Sequence, residues 1–146
     1  MGLLGRPVGW ALMGIIMLVT AAACSSGSNQ KAFQPLNQAV SDIEPSMIGK
    51  VVYNKTSGSA KPLSQGPTRY LLVFAPGDQV SVRRAVDSRM TAAGFNELGA
   101  NAWRRVKGNS TVLVYIKIFD AGQKTPSGLI VPSGHSGAWF NVNAGS

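Results

Sequence analysis

The chain of 146 residues holds one cysteine, one histidine and only 6 acidic side chains against 14 basic ones. A lone cysteine excludes an intrachain disulfide framework. One cysteine and one histidine cannot build a Cys/His zinc cluster either, because such a site takes three or four of these ligands. No metal or other cofactor is expected. Charged residues make up 14% and hydrophobic ones 45%, a balance that excludes both a disordered chain and a multi-span membrane protein. The length suits one domain, and no internal repeat is visible.

Residues 1–23 carry a single charge, Arg6, followed by an apolar run from Val8 to Ala23 that Gly9, Gly14 and Thr20 dilute. A bilayer span needs about 20 apolar residues, so this run is short for one. A positive start, a short apolar middle and small residues at its end describe an export signal. Those small residues are Ala21-Ala22-Ala23, and Cys24 follows them. Residues 24–32, with Ser25-Ser26-Gly27-Ser28-Asn29-Gln30, read as a flexible tether, and 33–146 as one folded domain.

Ala21-Ala22-Ala23-Cys24 resembles the lipobox of bacterial lipoproteins. In that family small side chains precede a cysteine that is acylated and becomes the new N-terminus. Ala21 stands where the family usually has Leu or another aliphatic residue. The resemblance implies cleavage after Ala23, lipid on Cys24, and a domain held on the outer face of the cell membrane. An uncleaved N-terminal anchor is the alternative, and it also leaves the domain outside the cytoplasm. Loss of Arg6 takes the formal charge from +8 to +7. An exported basic domain meets anionic headgroups and acidic wall polymers rather than nucleic acid. Asn54-Lys55-Thr56 and Asn109-Ser110-Thr111 fit the glycosylation sequon, but a lipobox points to a bacterial cell, so both read as turn residues.

In the mature chain, Leu36, Ala39, Val40 and Ile43 recur at helical spacing, with Pro35 near the start and Glu44-Pro45 at the close. Ile48 to Tyr53 reads as a strand and 54–67 as a loop. Tyr70-Leu71-Leu72-Val73-Phe74 has the length and continuity of a central strand. A helix follows, capped by Asp78 or Ser81, with Val82, Val86, Met90 and Ala93 as its apolar stripe and Gly94 as its stop. Gly108-Asn109 joins Ala102–Lys107 to Ser110–Asp120 as a hairpin, and Leu129–Val131 and Ala138–Asn143 complete the strands. The expected fold is α+β: one antiparallel-rich sheet of about five strands, a β-α-β-β-β-β core, with one long helix on one face. This plan is similar to that of small actinobacterial envelope lipoproteins of uncharacterised function. That likeness carries no catalytic motif and implies no activity.

Enzyme constellations find little support. His135 sits in the Ser133-Gly134-His135-Ser136 turn, and Asp120 is available, but there is no Gly-x-Ser-x-Gly elbow. The acids do not form a recognisable catalytic pair: Asp78 reads as a cap, and Asp87 as a partner of Arg83 one turn back. Asp42 and Glu44 lack the further oxygens that a hard cation requires. No glycine loop ends in the Lys-Ser/Thr of a phosphate cradle. Arg89 is unusual because helical spacing puts it inside the apolar stripe, between Ala85 and Ala93. It is expected to snorkel past the sheet edge or to pair with Glu97 or Asp120; the alternative is an anion site at a helix–sheet junction.

The hairpin register places Arg104, Leu113, Tyr115, Lys117 and Phe119 on the face away from the long helix, with Trp139 and Asn141 of the last strand beside them. The Leu36–Ile43 helix is the expected cover for that face. If it stays open, Tyr115 and Trp139 become anchors, with Arg104 and Lys117, for a sugar, an anionic polymer or a protein partner. The function implied is a membrane-anchored, non-enzymatic binding or accessory module. A mobile-element immunity lipoprotein and an enzyme of the wall or lipid layer are the alternatives.

Overall fold

Apolar residues on both sides of a strand require cover on both sides, and the run Tyr70–Phe74 occupies such a place. It forms the middle of β2 (Thr68–Pro76), with β1 (Lys50–Ser57) on one flank and β6 (His135–Gly145) on the other. The computed structural model describes residues 26–58 and 66–145; the segment expected to be an export signal, Cys24 and part of the 54–67 loop lie outside these. Beyond β6 come β5 (Ser110–Phe119), β4 (Ala102–Lys107) and β3 (Asn96–Gly99), giving the order β1-β2-β6-β5-β4-β3. Every pairing is antiparallel. The fold is α+β with one six-stranded sheet and two helices.

The helix α2 (Gln79–Ala92) starts where Asp78 accepts the backbone N–H of Ser81 at 2.8 Å. It stops at Gly94, whose φ of 83° suits a residue without Cβ. Its buried stripe is Val82, Val86 and Met90, as the spacing predicts. The other helix, α1 (Ser26–Ile43), is longer than its periodicity suggests, so residues 26–32 lie within it and Pro35 is interior rather than near the first turn.

The expected placement of α1 is overturned. Leu36, Ala39, Val40 and Ile43 join the α2 stripe in one core, above Leu71 and Val73 of β2, Val112, Val114 and Ile116 of β5, and Phe140 and Val142 of β6. Both helices therefore lie on the same face. One helix about 10 Å wide cannot span six strands spaced about 4.8 Å apart, so the wide sheet takes two. Arg69 ties α1 to the sheet, donating to Asn37 at 3.0 Å and to Asn54 at 2.9 Å.

Three further boundaries differ from expectation. The strand β1 continues to Ser57, so Asn54 is a strand residue and not part of a turn. Asn96–Gly99 adds β3, where no strand was expected. Leu129–Val131 is not a strand but one side of a single Lys124–Ile130 bridge in a folded loop. That loop is held by Gly122 N–H to Val131 O at 2.8 Å and Thr125 N–H to Leu129 O at 2.8 Å. It lays Val131 over the second sheet face, beside Leu72 and Phe119 and directly above Gly137, where an added Cβ would come within 2.9 Å of Val131 Cγ2. Leu72, Phe119 and Val131 are all buried there, outside the main core.

Candidate functional site

With both helices on one face and the 120–134 loop over one end of the other, the rest of the second face has no covering element among the described residues. Its composition follows from register. Arg104 pairs with Leu113, and Ala102 with Tyr115. Across the next ladder Tyr115 pairs with Asn141 and Lys117 with Trp139, and then Trp139 pairs with Leu72 and Asn141 with Tyr70. Four of the sequence-derived site residues, Arg104, Tyr115, Lys117 and Trp139, thus share this face.

Two aromatic residues join them that the sequence reading left out. Tyr70 comes by simple alternation with Leu72 in β2. Tyr53 comes through a bulge: the β1–β2 register shifts between Val51 and Tyr53, so Val51 faces the core opposite Val73 while Tyr53 stands opposite Leu72. Without that extra residue Tyr53 would point at the helices. Both tyrosines stack on Trp139, each with ring centroids 5.7 Å apart and interplanar angles of 30° and 28°. Tyr115, 49% exposed, stands clear of this group.

Polar groups edge the aromatic cluster. Thr68 Oγ1 donates to Asn143 Oδ1 at 2.9 Å, and Asn143 Nδ2 donates to Asn141 Oδ1 at 3.0 Å. With Tyr70 and Pro67 these residues line a shallow cleft of about 370 Å³. Lys55 lies opposite Tyr70 in the β1–β2 ladder. The Lys117 ammonium sits 5.1 Å from the Phe119 ring centroid, a cation–π contact. Of the six acids in the chain only Glu97 is in a strand; it pairs with Trp103 in register and with Arg83 of α2 as an ion pair, on the helix side. The open face is therefore cationic and aromatic.

Arg89 does not belong to it. Its Nε donates to Ile43 O at 2.9 Å and its Nη2 lies 3.3 Å from Glu44 Oε1, so it caps the carbonyl end of α1 rather than pairing with Glu97 or Asp120. A cation there offsets the negative end of the helix dipole. A second arginine went unnoticed in the sequence. Arg105 is only 8% exposed; its Nη1 donates to Asp42 Oδ2 at 2.7 Å and to Ala93 O at 2.9 Å, and its guanidinium lies over Phe95. Burial works against ionisation of Asp42, but the Gln38 hydrogen bond and the Arg105 guanidinium outweigh it and hold the carboxyl below the usual range. Alternation along β4 with buried Trp103 was the available signal for Arg105.

His135 lies at the start of β6 with Nδ1 3.0 Å from Ser133 O. Among the described residues no three His, Cys, Asp or Glu side chains cluster as a metal site, and no helix is long and apolar enough to cross a membrane. Compared with protein-family models, curated proteins and solved structures, the chain matches none.

Proposed function

We propose that the protein is a lipoprotein, anchored through Cys24 on the outer face of the cell membrane, whose domain binds an anionic, sugar-bearing polymer of the envelope without catalysing a reaction. The observation that carries this reading is the Tyr53–Trp139–Tyr70 cluster on a sheet face that also bears Lys55, Arg104 and Lys117 and no strand acid. Aromatic rings bind the C–H faces of sugars, asparagine amides bind hydroxyls, and the lysines and arginine favour carboxylate or phosphate substituents. The +7 charge that remains once Arg6 is removed draws such polymers at long range.

Two measurements test the reading separately. Metabolic lipid labelling should mark the wild type and fail in Cys24→Ser; label that persists removes the anchor. Co-sedimentation with purified cell-wall polymer, against neutral cellulose as control, should be lost in the Tyr115→Ala/Trp139→Ala variant while circular dichroism is unchanged. Cooperative loss of structure in that variant would make these rings core and would end the binding-face reading.

A further inference from the structure

A second cleft lies on the helix side of the sheet, between α1 and the β4–β5 hairpin. It measures about 440 Å³ and is lined by Lys31, Gln34, Gln38, Arg105, Lys107 and Ser110 among others. Three of these are cations. The hairpin from Ala102 to Phe119 contains no acid, and the single acid of α1, Asp42, is already held by Arg105 and Gln38. Positive charge at this cleft is therefore left for an outside partner.

Arg105 makes the site more than a patch of surface lysines. Its guanidinium is more than nine-tenths buried, fixed by Nη1 to Asp42 and Ala93 O and stacked over Phe95, and its Nε has no hydrogen-bond partner among the described residues. With Nη1 committed to Asp42 and Ala93 O and Nε sealed from solvent, Arg105 gives the cleft a rigid, charged wall rather than a free donor, and the contacts to a phosphate fall to the groups around it. Around it Lys31 and Lys107 supply flexible ammonium groups, while Gln34 and Ser110 offer donors for glycerol hydroxyls.

The place of the cleft in the chain identifies the occupant. The helix α1 begins at Ser26, two residues beyond Cys24. At ~1.5 Å per residue, Lys31 lies only about 8 Å along the helix from that start. We infer that this cleft binds the phosphate of an anionic phospholipid headgroup, so that α1 rests against the bilayer and the aromatic face of the sheet points away from it. The inference rests on the membrane tethering proposed above. It supplies the second element, a basic site beside an acyl anchor, that stable and oriented membrane attachment uses.

The test uses the full chain in phosphatidylcholine bicelles, titrated with phosphatidylglycerol, with additional phosphatidylcholine, and with inorganic phosphate, while backbone amide shifts are followed. Phosphatidylglycerol should give saturable shifts centred on Lys31, Gln34, Lys107 and Ser110; phosphatidylcholine should not. Lys31→Gln/Lys107→Gln should weaken the response about tenfold or more with an unchanged circular dichroism spectrum, since each basic group near an anionic surface contributes comparably. No response to phosphatidylglycerol, or an equal one in the double variant, overturns the inference. An equal response to inorganic phosphate overturns the lipid assignment in favour of a free-anion site. Failure of Cys24 labelling or of wall-polymer binding is read in the other assays and leaves this titration interpretable.

Discussion

Tyr53 and Trp139 stack across the intervening strand β2 with their ring centroids 5.7 Å apart, and they meet because β1 bulges between Val51 and Tyr53. Such a pair adds about 0.5–1.5 kcal/mol beyond simple burial. Tyr53→Ala should therefore lower stability by about 1–2 kcal/mol and weaken polymer binding together. Tyr115→Ala, which breaks no ring contact, should weaken binding with a stability change within about 0.5 kcal/mol. Urea midpoints and co-sedimentation, measured on both variants, separate the two outcomes; equal stability losses would refute the assignment of Tyr115 to an open surface.

The Arg105–Asp42 pair joins β4 to α1 over 63 residues of sequence. Replacing Arg105 with Met should cost about 2–3 kcal/mol, because Asp42 and Ala93 O both lose a donor.

Acid should probe the same pair. The folded carboxyl of Asp42 titrates below its ordinary value of 3.8, so the protein form that keeps it ionised is the folded one. Its contribution is complete above that value and is lost as pH falls through the lower folded one. Asp42→Asn should flatten the fall in urea midpoint below about pH 4, leaving the smaller slope that comes from Asp78, whose carboxyl is lowered by its hydrogen bonds with Ser81. A slope identical to that of the wild type would remove Asp42 from the account.

Arg89 contributes to the docking of α1. Arg89→Met should leave polymer binding unchanged and reduce stability by about 1–2 kcal/mol, through the lost hydrogen bond to Ile43 O and the lost charge at the helix end. Reduced binding at unchanged stability would restore the anion-site reading of this residue.

Gly49 and Gly137 offer a matched pair of methyl insertions. A Cβ at Gly49 would collide with the Phe74 carbonyl oxygen, which is backbone of β2 in the β1–β2 ladder and cannot turn aside. At Gly137 the obstacle at 2.9 Å is the Val131 side chain, carried on a loop. Gly49→Ala should cost about 3 kcal/mol and Gly137→Ala about 1 kcal/mol, read as thermal midpoints. The reverse order would contradict the packing of the 120–134 loop described above.

Much of the second sheet face was legible beforehand. A two-residue turn at Gly108-Asn109 sets the β4–β5 register, and strand alternation then puts Arg104, Tyr115 and Lys117 on one side. The limits of α2 were equally plain from Asp78 and Gly94, since capping and left-handed stops are local preferences. Tyr53 was not legible, and for Arg105 alternation with Trp103 gave the face but not the partner. A bulge leaves no periodic mark, and the partner that makes burial of Arg105 tolerable lies on another element.

The sequence by itself determined α2, the β4–β5 hairpin with its register and the two-sided character of β2, because period, turn chemistry and capping act within a few residues, whereas β3 and the folded loop at Leu129–Val131 escaped it. Tertiary structure alone decided that β6 lies between β2 and β5, that α1 joins α2 on one face, and that the 120–134 loop covers only one end of the other. These are choices among surfaces of similar apolarity. They are settled by which arrangement buries Leu36, Ile43 and Phe140 together and still pairs Arg105 with Asp42, and that comparison exists only when the whole chain is packed.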